Sequence, residues 1–215
     1  MLVKERMTPN PVTVGEDVSM HDALRLMRER KIRRLPVVDR AGKLVGIVSE
    51  KDLLYASPSP ATSLSVFEIN YLVAQIKVGQ LMSKPVITVG EDTPLEEAAR
   101  IMVDNKIGGL PVLDKAGNLA GIITETDLFK VFLELLGARE RGLRLTLLVP
   151  NKHGMLASLA GTIANLGGDI LALGTFAGKK PERGLLTLKV RGAEQQAVLD
   201  ALKPLGIEVL DVREA

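Results

Sequence analysis

The sequence predicts a mixed α/β (α+β) chain in two parts: a pair of β-α-β-β-α repeats, then a βαββαβ sandwich of sheet and helices. Two observations carry this. KIRRLPVVD, Lys31 to Asp39, returns as KIGGLPVLD, Lys106 to Asp114, and the same offset runs without a gap from Met7/Met82 to Leu54/Phe129. Past Leu143 the repeat stops and a different succession of apolar runs begins. A repeat constrains the architecture before any local assignment, because each unit must bury its open face against a neighbour.

Both copies have the same element order. An extended segment (Pro11 to Val14; Val86 to Val89) meets a turn at Gly-Glu-Asp. A helix follows, with Met20, Leu24, Met27 or Leu95, Ala99, Met102 at helical spacing. Ser19 with Asp22, and Thr93 with Glu96 around Pro94, read as helix starts. Two short strands, LPVVD and KLVGIV or LPVLD and NLAGII, flank the turn residues DRAG and DKAG. SEKDLL and TETDLF then open a second helix.

The copies occupy 1–56 and 79–136. Between them, over 57–78, a Pro/Ser-rich stretch precedes SVFEINYLVAQI, an expected amphipathic helix capped by Ser65 with Glu68 and carrying Phe67 and Tyr71. A short charged linker, 137–143, leads to a final domain over 144–215. There RLTLLV is a strand, and MLASLAGTIANLGG is a helix with Leu156, Leu159, Ile163 and Leu166 on one face, closed by Gly167 and Gly168. Strands ILALGTFAG and GLLTLKVRG, helix AEQQAVLDALKPLG and strand IEVLDVRE complete a ferredoxin-like βαββαβ order.

Composition excludes several classes of function. The chain has no cysteine and two histidines, His21 and His153, so thiol chemistry, disulfides and a histidine metal centre are not expected. Near-balanced charge, +2, with 3% aromatic residues argues against a nucleic-acid surface. No apolar run approaches the ~18–20 residues of a bilayer span, and MLVKERMTP lacks the apolar segment of a secretory signal. The sequence therefore predicts a cytoplasmic chain with no membrane partner. No P-loop, catalytic triad or metal cluster is present, so no enzyme activity is expected.

The chemistry concentrates in GIVSEKD, Gly46 to Asp52, and GIITETD, Gly121 to Asp127. A hydroxyl at a helix start, Ser49 or Thr124, can meet phosphate, and the carboxylate three residues on can accept both hydroxyls of a ribose. The same pattern is also a plain capping box, and one copy alone does not separate the two readings.

With the LPV strands and the hydrophobic-Gly-Ile strands, the segments Pro11 to Leu54 and Val86 to Phe129 resemble the CBS domain, and the two together resemble a CBS tandem. The resemblance implies a regulatory module that binds adenosine-containing ligands in clefts between the motifs, often as a homodimer. By position it assigns ribose to Asp52 and Asp127, and phosphate or sugar to Ser49, Thr124 and Thr126. The resemblance also implies that Thr13, Thr88, Ile47 and Ile122 line the adenine slot, and it counts Pro36 and Pro111 of the LPV strands among the nucleotide-binding residues. Arg33 and Arg34 stand where nucleotide-binding members carry phosphate-binding side chains, and the guanidinium fork suits that task. Gly108 and Gly109 stand there in the second copy, so the two clefts are expected to differ. Which cleft the arginines serve stays open, as does a solvated basic patch with Arg28, Arg30 and Lys31.

The last domain resembles the ACT domain, through Asn151 to Leu156 and Gly167 to Ile170. That resemblance implies either dimerisation or small-metabolite sensing, with Asn151, His153, Gly154, Met155, Asp169 and Ile170 as ligand candidates. The order CBS, CBS, ACT resembles the acetoin-utilisation AcuB-like family, implying a link to acetoin metabolism. The expected function is a non-enzymatic regulator that senses an adenine nucleotide, AMP or ATP, and acts on an unidentified protein. The alternative is an oligomerisation adaptor without a nucleotide ligand.

Overall fold

The computed structural model describes residues 1–56, 75–176 and 181–215. They form two compact units, Met1–Leu128 and Phe129–Ala215. The expected linker helix, with Ser65, Phe67, Glu68 and Tyr71, lies outside the described residues except for its last two.

In the first unit a 3-10 turn, Val3–Glu5, and β1 (Thr8–Pro9) lead into β2 (Val14–Gly15), α1 (Met20–Arg30), β3 (Arg34–Val38), β4 (Leu44–Ser49) and α2 (Glu50–Tyr55). The second repeat follows as a short α3 (Val78–Leu81), β5 (Val89–Gly90), α4 (Leu95–Asn105), β6 (Gly109–Leu113), β7 (Leu119–Thr124) and α5 (Glu125–Leu135). Local chemistry accounts for the boundaries. Ser19 caps α1 by accepting the Asp22 N–H at 3.1 Å. Asp39 Oδ1 accepts the N–H groups of Ala41 and Lys43, both at 2.9 Å, and folds the β3–β4 turn; Asp114 does the same for Ala116 and Asn118. The start of α4 differs from expectation: Pro94, not Thr93, is its cap, without a side-chain bond. The Thr93 carbonyl instead accepts the Val3 N–H at 2.9 Å. The buried face of α4 is Leu95, Ala98 and Met102, with Ala99 only half-buried, whereas Met20, Leu24 and Met27 of α1 are all buried.

The repeats complete each other. One sheet runs β2-β3-β4, the other β1-β7-β6-β5, so the leading strand of the first repeat pairs with the last strand of the second: Thr8 lies opposite Ile122 and Pro9 opposite Gly121. Reciprocally, Ser83 and Ile47 exchange backbone bonds of 2.8 and 3.2 Å. The Val78 N–H donates to the Val18 carbonyl at 2.9 Å, and the Val78 side chain is fully buried in the first repeat's core with Met20, Leu35, Val37, Val48 and Leu53. Glycine permits the crossing. A Cβ on Gly46 would lie 2.8 Å from Met82 Cγ, and one on Gly121 would lie 3.0 Å from both Met7 Cγ and the Thr8 carbonyl oxygen.

The second unit is the expected βαββαβ order: β8 (Leu143–Pro150), α6 (Met155–Asn165), β9 (Asp169–Phe176), β10 (Arg183–Arg191), α7 (Gln195–Leu202) and β11 (Glu208–Glu214). Its antiparallel sheet runs β11-β8-β10-β9. Strict alternation in β8 buries Leu143, Leu145, Leu147 and Val149, which pack with Leu186, Leu188 and Val190 of β10 against Leu159, Ile163, Val198 and Leu202. The inward face of α6 is rotated from the expected one: Met155 is buried, Leu156 is 47% exposed and Leu166 is half-buried. Gly167, at φ +73, ends this helix as expected. Among the described residues no helix is long and apolar enough to cross a membrane.

The crossing predicts that Gly121→Ala costs about 1–3 kcal/mol of stability through overpacking. Gly15→Ala, where a Cβ meets nothing within 4 Å, leaves urea unfolding unchanged. In the second unit, Leu159→Ala is expected to cost about 2–5 kcal/mol, and Leu156→Ala to stay within about 0.5 kcal/mol of the unaltered protein, read from the same unfolding curves.

Candidate functional site

Ser49 closes β4 and caps α2, and its partner is Asp52. The Asp52 N–H donates to Ser49 Oγ at 3.2 Å, while Ser49 N–H and Oγ–H both donate to Asp52 Oδ2, at 2.8 and 2.7 Å. Thr124 and Asp127 repeat this at α5: Asp127 Oδ2 receives the Thr124 N–H at 3.1 Å and its hydroxyl at 2.7 Å. Both motifs are therefore caps. The capping role uses a single carboxylate oxygen. Asp52 Oδ1 accepts no hydrogen bond from the described residues.

Asp52 faces a cavity of about 520 Å³ whose walls come from both repeats. The first repeat contributes Arg34, Ile47, Ser49, Lys51, Asp52 and Tyr55. The second contributes Ser83, Pro85, Val86 and Ile87 from its leading segment, and Lys106 to Gly109 from the approach to β6. The exchange of leading segments builds this cleft, since Ser83 is bonded to Ile47 beside it. Its lining is mixed: Ile47, Pro85, Val86, Ile87 and Ile107 are apolar, and Arg34, Lys51 and Lys106 are cationic. Lys51 Nζ also lies 5.4 Å from the Tyr55 ring centroid.

Arg34 lines the cleft of Asp52, and its position explains the Arg-Arg to Gly-Gly exchange. A Cβ on Gly108 would collide with Arg34 Nη2 and lie 2.5 Å from Glu125 Oε2; one on Gly109 would lie 3.1 Å from Arg34 Cδ. The two glycines leave the space that the guanidinium fills. The Arg34 side chain is 21% exposed, with Nη2 3.7 Å from Glu125 Oε2. Withdrawal from water holds the guanidinium's pKa below its ordinary value; the Glu125 carboxylate offsets part of this, the neighbouring Arg33 charge adds to it, and Asp52 offsets it more weakly. Arginine remains charged under either influence.

The sequence-identified residues divide accordingly. Arg34, Ile47, Ser49 and Asp52 meet in this one cleft. Ile122, Thr124, Thr126 and Asp127 belong to the β7–α5 junction, beside which β1 runs. Asp127 is buried there and Thr126 exposed. Arg33 is exposed, and its carbonyl accepts the Glu50 N–H at 2.9 Å. Pro36 and Pro111 are buried in β3 and β6, opposite Ile47 and Ile122. Thr13 and Thr88, both half-buried, precede β2 and β5, Thr88 being next to the cleft residue Ile87. Reading the sequence did not single out Lys51, Tyr55, Ser83, Pro85 to Ile87, Lys106 or Ile107. Their signal was the repeat itself, read across copies rather than within one.

In the second unit the candidates separate. Asn151, Gly154 and Met155 line a cavity of about 510 Å³ with Leu156, Phe176 and Arg183. Gly154, at φ +81, caps α6, and Asn151 Nδ2 donates to the Pro181 carbonyl at 3.0 Å. His153 is exposed and does not line this cavity. Asp169 and Ile170 lie at the other end of β9, where Asp169 pairs with Arg191 at 3.3 Å. Among the described residues no group of His, Cys, Asp or Glu side chains is arranged to hold a metal ion.

Comparison with known proteins follows this division. The CBS domain model matches residues 3–59 and 78–134, and a TTHA0829-like ACT domain model matches 141–213. A CBS domain-containing protein of Dictyostelium discoideum is 35% identical over 136 residues, 63% of this chain and 94% of that protein. CBSX2 of Arabidopsis thaliana, solved in complex with AMP, is 36% identical, with a TM-score of 0.50 over 61% of this chain and 96% of its own. The CBS domain pair of protein MJ0100, solved with 5′-methylthioadenosine and S-adenosyl-L-methionine, is 29% identical, with a TM-score of 0.52 over 65% and 98%. The AcuB protein of Vibrio cholerae, named for acetoin utilisation, is 35% identical, with a TM-score of 0.52 over 65% and 96%. With both of its repeats matched and a third module behind them, the chain belongs to the CBS-domain family, as a tandem CBS pair joined to a TTHA0829-like ACT domain.

Proposed function

We propose that this is a non-enzymatic, cytoplasmic regulatory protein whose Asp52 cleft holds an adenine nucleotide, AMP or ATP. The observation that carries the reading is the meeting of Asp52, Ser49 and Arg34 with the apolar residues Ile47, Val86 and Ile87 in the lining of one cavity. The adenine enters between Ile47 and the Val86–Ile87 segment, the ribose diol meets Asp52 Oδ1, and the phosphate meets Arg34. The AMP bound by CBSX2 and the adenosine compounds bound by the MJ0100 pair support this ligand class. The ACT domain dimerises the protein or senses a second small metabolite in the cavity beside Asn151 and Gly154. The likeness to AcuB supports a place near acetoin metabolism. Regulation of a partner protein then requires that the nucleotide bind one arrangement of the chain more tightly than another, because equal affinity shifts nothing.

The full capping geometry of Ser49 with Asp52 favours a second reading, an oligomerisation adaptor in which these side chains only end helices. Calorimetric titration with AMP, ADP, ATP and S-adenosylmethionine separates the two. Under the nucleotide reading, Asp52→Asn weakens AMP binding by about 1.5–3 kcal/mol, the worth of a hydrogen bond to a charged group, while the lost cap costs about 1 kcal/mol of stability. The adaptor reading expects the stability loss alone, with no adenosine compound raising the melting temperature of the unaltered protein. Light scattering should give twice the chain mass, and a monomer at micromolar concentration would remove the dimer from the proposal.

A further inference from the structure

Arg34 enters the Asp52 cleft already facing a carboxylate. Glu125, the first residue of α5, is held there through its backbone, whose N–H donates to the Gly108 carbonyl at 3.1 Å. Its Oε2 approaches Arg34 Nη2 to 3.7 Å, a distance that gives Coulombic attraction but no hydrogen bond. Among the described residues the Arg34 guanidinium donates no hydrogen bond, although most of it is withdrawn from water at 21% exposure. Glu125, at 53%, is solvated and free to swing out. The arrangement is a poorly satisfied fork of donors beside a loosely held, exchangeable acceptor. It is peculiar to one repeat: at the equivalent place Glu50 donates its N–H to the Arg33 carbonyl, but Gly109 stands where Arg34 would be.

We infer that Glu125 sets the ligand selectivity of the Asp52 cleft by competing with the ligand's 5′ substituent for Arg34. A phosphate on the ligand displaces the carboxylate and takes both guanidinium edges, the geometry in which arginine binds oxyanions best. A ligand with a neutral 5′ group leaves the Arg34–Glu125 pair in place and gains nothing from it. Glu125 is thus a positioning residue that acts through Arg34, and the cleft reads charge at the 5′ position as a difference between two acceptors. The inference rests on the reading of this cleft as an adenosine site.

The test is calorimetric titration of the full chain with AMP and with adenosine, in the unaltered protein and in Glu125→Gln, Arg34→Gln and the double variant. Glu125→Gln is expected to raise the preference for AMP over adenosine about two- to fivefold, the worth of one partly exposed ion pair. Arg34→Gln should cut that preference about ten- to a hundredfold. The double variant should match Arg34→Gln, because Glu125 has nothing to compete for once the guanidinium is gone. Adenosine affinity should hold in Glu125→Gln, which a general loss of folding would not allow, and the melting temperature of each variant is read alongside. If adenosine binds but Glu125→Gln leaves the AMP preference unchanged or lowers it, the selectivity inference is overturned and the adenosine site stands. If neither compound binds the unaltered protein, the adenosine site is overturned and the inference with it.

Discussion

Two backbone positions without side chains hold the first unit together. At Gly46 and Gly121 the leading segment of one repeat passes over the closing strand of the other so closely that a methyl group would meet Met82 or Met7. The close approach lets Ser83 bond to Ile47 and Thr8 lie opposite Ile122. Those contacts carry Val78 into the first core and bring the segment up to Ile87 alongside Asp52. The cleft is a product of this exchange, because neither repeat alone has both the carboxylate and the apolar wall. The usual entropic objection to glycine inside a strand is offset by an interlocked pair of sheets that a larger side chain would force apart.

The repeat also shows how a duplicated hairpin becomes unequal without changing its strand register. β3 and β6 pair with β4 and β7 in the same register, with a shift at the same step. The difference that matters to the cleft lies where these hairpins begin. Arg34 projects toward Gly108 and Gly109, and those glycines could not have been arginines in this packing without evicting it. Arg34 fits into the Asp52 cleft because the opposite repeat gives up volume. The exchange of two residues therefore distributes volume and charge in a single step, and electrostatics and packing cannot be assigned separately here.

Much of this was legible in the sequence, for identifiable reasons. Helices α1 and α4 declare themselves through Met20, Leu24, Met27, Leu95 and Met102, since burial on one face leaves a period of 3.6. The turn aspartates and the Ser19 cap are local chemistry and were readable as such. Features that depend on partners were not. β1 is two exposed residues with no alternation to mark it, so its pairing with β7 has no local signal. Ala98 and Ala99, or Met155 and Leu156, are neighbouring apolar residues separated by about 100° around a helix, and only the opposing sheet decides between them. Ser49 and Asp52 were recognisable as a cap or a ligand grip; the structure shows the cap, made through a single carboxylate oxygen. The cleft served by Arg34 could be known only after the repeats were placed together.

The crossed pairing also orders events in time. Thr8 and Pro9 leave the ribosome long before their partners Ile122 and Gly121, roughly a hundred residues later in the chain. Contacts so distant in sequence are slow to form and leave strand edges open meanwhile. A chain made from one end thus closes its first sheet around α3 while β1 still has no partner. The last of the swapped contacts forms only when β7 emerges, so the second sheet is finished by pairing with residues made well before it.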